Sequence, residues 1–249
     1  MANSLQGKVA LITGASSGIG EASALSLAAE GAHVVVVARR GERLQELVRK
    51  IQQNGGQAVP IVADVADEQQ VAEMVKHVKN TLGRIDILVN NAGVMLLGQI
   101  DGANTEDWRR MVAINVMGLM YTTHAVLPLM KEQNRGHIIN ISSVAGRVAR
   151  AGSGVYNVTK WGVVAFSEAL RQESYKNNIR VTVIEPGAVA TELTDHITDE
   201  SARQKQGEWL QGLTPLESED IAAAIVYAVT QPERVNVNEI LIRPTGQDR

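Results

Sequence analysis

The sequence contains no cysteine, which excludes disulfide bonds and thiolate chemistry and fits a reducing compartment. An excess of charge of one sign is also missing. The formal net charge is −3, so no basic surface predicts nucleic acid or an anionic membrane as a partner. The five histidines never pair at metal-ligand spacing, and no cysteine assists them, so we predict no metal site.

Long apolar runs are absent from the N-terminal region. The first residues, MANSLQGKVALITG, hold one short apolar run that soon meets glycines, which fits neither a signal peptide nor a membrane span. Hydrophobic residues make up 45% and charged residues 20% of the 249 positions, the balance of a globular protein that can bury a full core. We therefore expect a cytoplasmic protein.

Seven short runs of branched apolar residues alternate with longer amphipathic stretches. The runs are Val9–Ile12, Val34–Val37, Val59–Val62, Ile85–Val89, His137–Ile141, Val181–Ile184 and Val237–Ile242. Each is apolar on both faces, which is typical of parallel strands covered by helices on both sides. The pattern predicts an α/β fold with a doubly wound parallel sheet of seven strands, in a single domain over residues 1–249.

Helical periodicity fills the intervals between these runs. The predicted helices are Glu21–Glu30, Arg43–Asn54, Glu68–Leu82, Trp108–Glu132, Val155–Asn177 and Glu219–Val229. The polar stretch from Thr191 to Leu213 has no clear period, which is typical of a lid or binding loop, here over a substrate pocket. The alternative is a solvated surface helix.

A glycine-rich turn follows the first predicted strand directly, in Thr13-Gly14-Ala15-Ser16-Ser17-Gly18-Ile19-Gly20. Glycines let the backbone turn sharply and approach a pyrophosphate, and the N–H groups that start the next helix face the anion. The glycine spacing differs from the standard dinucleotide fingerprint. Its position between a strand and a helix, first in the series, nevertheless predicts a dinucleotide site.

The end of the second strand predicts which dinucleotide binds. The residue there lies beside the adenosine ribose in such folds, where an acid binds the 2′-hydroxyl and an arginine binds a 2′-phosphate. Ala38 stands in the acid's position, and Arg39 and Arg40 follow it. This pattern predicts NADP(H), with Arg39 carrying most of the preference. The alternative is that both arginines only begin a solvated helix.

A tyrosine and a lysine four residues apart, Tyr156 and Lys160, begin another helical stretch and share one of its faces. A lysine cation nearby favours the phenolate of a tyrosine that is otherwise a poor acid or base at neutral pH. Ser143 ends the fifth strand, where ligands of an open parallel sheet bind. Its neighbour Ser142 is predicted to point the other way.

Taken together, TGASSGIG at 13–20, NNAG at 90–93, Asn115, Ser143, Tyr156 with Lys160, and Pro186-Gly187 resemble the single-domain branch of the short-chain dehydrogenase/reductase family, over essentially the whole chain. The resemblance implies a Rossmann-type fold and hydride transfer between NADP(H) and a small carbonyl or hydroxy compound. Tyr156 would be the acid/base, Ser143 would polarise the substrate oxygen, Lys160 would lower the tyrosine pKa and hold the nicotinamide ribose, and Asn115 would anchor a proton-relay water.

The resemblance also implies a set of cofactor and substrate contacts. Those for the cofactor are Gly14, Ser16, Ser17, Ile19, Arg39, Arg40, Asp64, Val65, Asn91, Ala92, Gly93, Tyr156, Lys160, Pro186, Gly187, Val189 and Thr191. Asp64 would bind the adenine amino group. Substrate contacts would come from Ser143, Tyr156 and Met95, in a mainly apolar pocket that also includes Val94, Leu96, Val144 and Ala145. Glu185 departs from the family pattern, and we assign it no chemistry.

Three segments, GVMLLG at 93–98, TELTDHIT at 191–198 and EILIRPT at 239–245, are similar to clavaldehyde reductases and to reductases of small 3-hydroxy acids and semialdehydes. Family resemblance also implies a homotetramer built on the helices through Met117–Met130 and Val155–Arg171 and on the C-terminal strand. The alternative function is an NADP-sensing regulator without turnover, although such proteins commonly lose the tyrosine or lysine retained here. A sugar-nucleotide epimerase would need a further substrate domain.

Overall fold

Seven parallel strands form one sheet in the order β3-β2-β1-β4-β5-β6-β7 in a computed structural model that describes residues 4–248. The ends of the predicted domain, residues 1–3 and 249, lie outside the described residues. The strands are β1 Val9–Thr13, β2 His33–Ala38, β3 Gln57–Val62, β4 Ile87–Asn90, β5 Gly136–Ile141, β6 Ile179–Pro186 and β7 Glu239–Ile242. The order reverses between β1 and β4, which is where ligands bind in sheets of this kind.

Helices cover both faces of the sheet. They are α1 Gly18–Ala29, α2 Gly41–Gln53, α3 Glu68–Leu82, α4 Thr105–Met111, α5 Leu119–Glu132, α6 Gly154–Ser174, α7 Glu200–Gln211 and α8 Ser218–Thr230. Because strand side chains alternate between faces, Ala10 and Ile12 of β1 pack with α1, α2 and α8, whereas Leu11 packs with α3, α5 and α6. The predicted single-domain, doubly wound fold of seven strands is confirmed.

The two edge strands differ from the prediction. In β3 only Ala58 is buried and in β7 no residue is, with Val62 63% and Leu241 45% accessible, so these strands are not buried on both faces. An edge strand has a neighbour on one side only, and the helices above it do not cover it fully.

The long predicted helix at 108–132 begins earlier, at Thr105, and contains an unpredicted π-helical segment at Val112–Gly118 between α4 and α5. Its 28 residues are long and apolar enough to cross a membrane by length and composition alone. It packs against α3 and α6, as a core helix of a globular fold does. The cytoplasmic location stays a prediction.

The stretch at 191–213 contains a 3-10 helix at Glu192–His196 followed by α7. No residue of α7 is buried, so the surface-helix alternative describes its secondary structure correctly. Asp199 caps α7 by accepting a hydrogen bond from the Ala202 backbone N–H at 2.9 Å. Thr191 begins the 3-10 helix in the same way by accepting from Leu193 N–H.

Candidate active site

The turn after β1 is a tight backbone loop that its glycines make possible. Gly14 and Gly18 have φ angles of +67° and +55°. A side chain on Gly14 would lie 2.8 Å from Cα of Ala92, and one on Gly20 would overlap the Gly14 carbonyl. Because α1 begins at Gly18, the unpaired N–H groups of its first turn form an anion site at the end of this loop.

A second loop, after β4, holds the glycine-rich turn in place. The Asn91 side-chain amide donates to the backbone carbonyls of Thr13 and Gly14 at 3.0 and 3.2 Å. In return, the Thr13 hydroxyl accepts from the backbone N–H groups of Asn91 and Ala92 at 3.1 and 3.2 Å. The two loops therefore form one rigid unit, and Thr13 is a positioning residue that the sequence analysis did not identify.

Two arginines follow β2, and their contacts differ. Arg40 donates from Nε to the Ser16 hydroxyl at 3.0 Å and from Nη2 to the Ser17 hydroxyl at 2.7 Å, so its guanidinium lies against the glycine-rich turn. Arg39 is 57% exposed and lies 3.7 Å from the Asp64 carboxylate. Both line the cleft, and Arg40 has the closer connection to the predicted phosphate-binding turn.

Ser143, Tyr156 and Lys160 meet at the carboxyl end of β5. The Ser143 hydroxyl lies within reach of both the Tyr156 hydroxyl and, at 3.3 Å, the Pro186 carbonyl, and its single proton is donated to one of them at a time. Lys160 Nζ donates to the Ile141 carbonyl at 2.9 Å and lies 5.7 Å from the centroid of the Tyr156 ring. Ser142 is buried and donates to the Lys160 backbone carbonyl, and it too contributes to the cleft lining.

The pKa values of this set correct one expectation. Burial raises the pKa of Tyr156 to about 12, and the hydrogen bond from Ser143 lowers it only partly. Burial also lowers the pKa of Lys160 to about 8, because an ammonium group loses solvation here. The predicted depression of the tyrosine pKa by Lys160 is therefore not found: desolvation dominates, and the lysine ammonium donates to a backbone carbonyl instead.

Asn115 is the one predicted catalytic residue that does not line the cleft. It lies in the π-helical segment, where its side chain accepts from Val94 N–H at 2.8 Å and donates to the Val94 carbonyl and the Thr159 hydroxyl at 2.9 and 3.2 Å. The side chain thus holds the loop after β4 to α6.

The other predicted catalytic residues, all predicted cofactor contacts and the predicted substrate contacts line a single cleft of about 390 Å³. Val94, Met95, Val144 and Ala145 lie along its wall as predicted, but Leu96 does not, because it faces a separate cavity beside α4. Asp64 lines the cleft while its carboxylate accepts from the Ala66 backbone N–H at 3.0 Å.

The far wall comes from segments that the sequence analysis described only in outline. Arg150, His196, Gln206, Trp209 and Leu210 line it, and the Arg150 guanidinium stacks over the Trp209 ring at 5.7 Å. These are loop and surface-helix positions without apolar periodicity, so no sequence signal marks them. The pocket is more polar than predicted at this end.

Two further residues behave in ways that the sequence did not reveal. Gln247, near the C-terminus, accepts from the Ala188 backbone N–H at 2.9 Å and lines the cleft beside Gly187. Glu185 is buried and pairs with Arg147 Nε at 2.7 Å, outside the cleft lining. It therefore supports the wall of the site and not its chemistry.

Comparison with known proteins agrees with this geometry. Residues 8–202 match the family model described as short chain dehydrogenase. The chain belongs to the short-chain dehydrogenase family. It is an oxidoreductase with a Rossmann-type dinucleotide-binding fold.

Relatives span almost the whole of this short-chain dehydrogenase. An uncharacterized oxidoreductase of Staphylococcus saprophyticus is 43% identical over 98% of this chain and 99% of its own. A serine dehydrogenase complexed with NADP+ is 38% identical, with a TM-score of 0.90 over 97% of this chain and 96% of its own. A metagenomic short-chain oxidoreductase complexed with NADP is 33% identical, with a TM-score of 0.84 over 98% and 100% of the two chains.

Proposed function

We propose that this short-chain dehydrogenase is an NADPH-dependent carbonyl reductase and alcohol dehydrogenase that acts on small carbonyl or hydroxy compounds, with Tyr156 as its acid/base. The observation that carries the proposal is the set of Ser143, Tyr156 and Lys160 in one cleft with the glycine-rich turn. The cleft fits a dinucleotide because its glycines leave room for a phosphate and Arg40 is held beside them.

In the proposed reduction, the carbonyl carbon would receive a hydride from NADPH held along the glycine-rich turn. The substrate oxygen accepts hydrogen bonds from Ser143 and Tyr156, and the Tyr156 proton moves to that oxygen as the alcohol forms. A pKa of about 12 keeps this proton on the tyrosine at neutral pH, which is the form that reduction needs. Lys160, whose ammonium donates to the Ile141 carbonyl beside the tyrosine, is proposed to hold the nicotinamide ribose.

The preference for NADPH rests on Ala38, which repels no phosphate, and on the arginines after it. The NADP complexes of the relatives support the same choice. A charge-assisted hydrogen bond contributes about 1.5–3 kcal/mol, enough for one to two orders of magnitude in affinity. Since Arg40 contacts the turn directly, we assign it a larger share of the preference than the sequence pattern gives it.

The segment at 191–213 is proposed as the substrate lid, since Gln206 and Trp209 of its helix line the cleft. The wall containing Arg150 and His196 gives the substrate end polar character. Together with the likeness to a serine dehydrogenase, this polarity favours small hydroxy or oxo acids within the substrate class.

An assay of NADPH oxidation with small aldehydes, ketones and oxo acids, and of NADP+ reduction with hydroxy acids, tests the proposal. We expect turnover with members of this panel. Binding of NADPH without turnover of any of them would favour the sensing regulator instead.

A Tyr156→Phe variant tests the role of the hydroxyl. It removes the hydroxyl that is proposed to donate the proton and leaves the ring that fills the core, so we expect kcat to fall by about 10²–10⁴-fold with NADPH binding retained. Stopped assays for kcat and fluorescence titration for binding measure the two effects. A variant that retains more than a tenth of wild-type turnover would remove Tyr156 from this role.

A further inference from the structure

One carboxylate reaches across the cofactor cleft to two arginines that are distant in sequence. Glu192 accepts from Arg40 Nη1 at 2.9 Å and from Arg43 Nη1 at 2.6 Å. The hydrogen bonds from Arg40 and then Arg43 lower the pKa of Glu192 to about 2, so the carboxylate is charged at every physiological pH. About 41% of each Arg40 and Glu192 side chain is exposed, so a ligand can reach the pair.

This ion pair lies at the glycine-rich turn. Thr191, immediately before Glu192, lies so close to the turn that a Cβ on Gly18 would be 3.1 Å from its methyl group. Arg40, the partner of Glu192, also donates to the hydroxyls of Ser16 and Ser17. The first residues of the lid are therefore joined to the adenosine end of the cofactor cleft and not to its substrate end.

Three of the five N–H donors of Arg40 are engaged in this arrangement. Nε serves Ser16, Nη2 serves Ser17 and Nη1 serves Glu192. A 2′-phosphate that binds Arg40 must therefore use the remaining Nη protons or take a donor from one of these acceptors, and in either case it shares the guanidinium with the Glu192 carboxylate. Of these three acceptors, only the Glu192 carboxylate is charged and repels a phosphate. It therefore makes the contact between Arg40 and a 2′-phosphate weaker than the two serine hydroxyls alone would make it.

We propose that Glu192 is a specificity-determining residue, whose carboxylate competes with the cofactor's 2′-phosphate for Arg40 and Arg43. It lowers the affinity for NADP(H) and leaves that for NAD(H), which lacks the phosphate, unchanged. The inference rests on the proposed use of NADP(H) and adds a residue of the lid that moderates it. If Glu192 only anchored the lid, its loss would affect both dinucleotides alike.

Calorimetric titration with 2′,5′-ADP and with ADP tests the inference without any catalytic step. In Glu192→Gln, which keeps the side-chain shape and removes its charge, we expect the Kd for 2′,5′-ADP to fall at least threefold and the Kd for ADP to stay within twofold. Glu200→Gln is the matched control, because Glu200 also pairs with an arginine, Arg203, but lies outside the cleft. It is expected to change neither Kd.

Weaker or unchanged binding of 2′,5′-ADP by Glu192→Gln, or an equal change for both nucleotides, overturns the inference. Thermal melting of both variants checks that the fold is intact. The proposed NADPH preference is judged separately, on the wild type. If the wild type binds 2′,5′-ADP no more tightly than ADP, that preference is wrong, whereas the ratio between variant and wild type still decides the role of Glu192.

Discussion

At the scale of single residues, the chemistry of the site depends on what burial does to two ionisable groups. Tyr156 and Lys160 are both buried. Desolvation raises the pKa of the tyrosine and lowers the pKa of the lysine, so it favours the neutral form of each side chain. The sequence predicts their proximity, because positions i and i+4 share a helix face. It does not reveal that the lysine donates to the Ile141 carbonyl, since that contact depends on where β5 ends beside α6.

The pKa of Lys160 predicts how stability depends on pH. Because folding lowers this pKa from 10.5 to about 8, the folded state disfavours the charged form, and the wild type loses stability as the pH falls from above 10.5 through about 8. In the wild type this loss of stability amounts to at most about 3 kcal/mol. Lys160→Met does not have it, because methionine does not ionise. We expect its Tm relative to wild type to be higher at pH 7 than at pH 10.

Melting curves at both pH values measure this shift, with Lys205→Met, a change at an exposed lysine of α7, as the control. A difference between wild type and Lys160→Met that does not change with pH would mean that the lysine is paired well enough to keep its ordinary pKa.

The two arginines after β2 give a second residue-scale prediction. The wild type is expected to prefer NADPH to NADH by at least tenfold in kcat/KM. Arg40→Ala should reduce this ratio more than Arg39→Ala, because only Arg40 is joined to Ser16 and Ser17. Replacing Ala38 by Asp together with a neutral residue at Arg39 and Arg40 should invert the preference, since the new carboxylate repels the phosphate.

Steady-state kinetics with both cofactors decide between the arginines. Equal use of NADH and NADPH by the wild type would mean that these residues only begin a solvated helix. A larger effect of Arg39→Ala would restore the assignment that the sequence pattern makes.

At the scale of elements, the sequence predicts what depends on local pattern and fails where neighbours decide. All seven strands and α3, Glu68–Leu82, are predicted correctly, because apolar periodicity and a capping residue such as Asp67 are local signals. The exposure of β3 and β7 depends on their edge position, which no run of apolar residues encodes. The π-helical segment likewise has no sequence signal in its apolar pattern.

The glycine-rich turn is the element whose sequence is most constrained by packing. Gly20→Ala would place a Cβ against the Gly14 carbonyl and 2.6 Å from Asn91 Nδ2, so the turn and the loop after β4 must separate. We expect a loss of about 1–3 kcal/mol in the free energy of unfolding and at least tenfold weaker cofactor binding. Gly207→Ala in α7 is the control, because open space surrounds Gly207 and alanine favours the helix by about 1 kcal/mol.

Chemical denaturation and NADPH titration measure the two effects of Gly20→Ala. If that variant bound the cofactor as tightly as the wild type, the close packing of these two loops would have no part in forming the site.

At the scale of the whole molecule, four of the eight large apolar side chains that are exposed among the described residues lie on elements that the family resemblance implies as subunit contacts. Val158 and Trp161 of α6 are 66% and 50% exposed, Val112 of the long helix is 40% exposed, and Leu241 of β7 is 45% exposed. Large apolar side chains in water are costly, and a helix that is apolar on several faces favours a partner on each side. The sequence indicates such subunit contacts, because the residues on several faces of these helices are apolar. The structure identifies which side chains remain exposed within one chain.

We therefore predict a homotetramer that uses α6, the long helix and β7. Trp161→Lys places a charge where we expect another subunit to pack, so it should shift the wild-type tetramer to dimers or monomers at micromolar concentration. Val62→Lys changes an apolar residue that is more exposed than Trp161, on β3 at the opposite edge of the sheet from β7, and should leave the assembly intact. Light scattering coupled to size-exclusion chromatography measures the mass of each, and a monomeric wild type would contradict the prediction, because the apolar surface of α6 would then be stable in water without a partner.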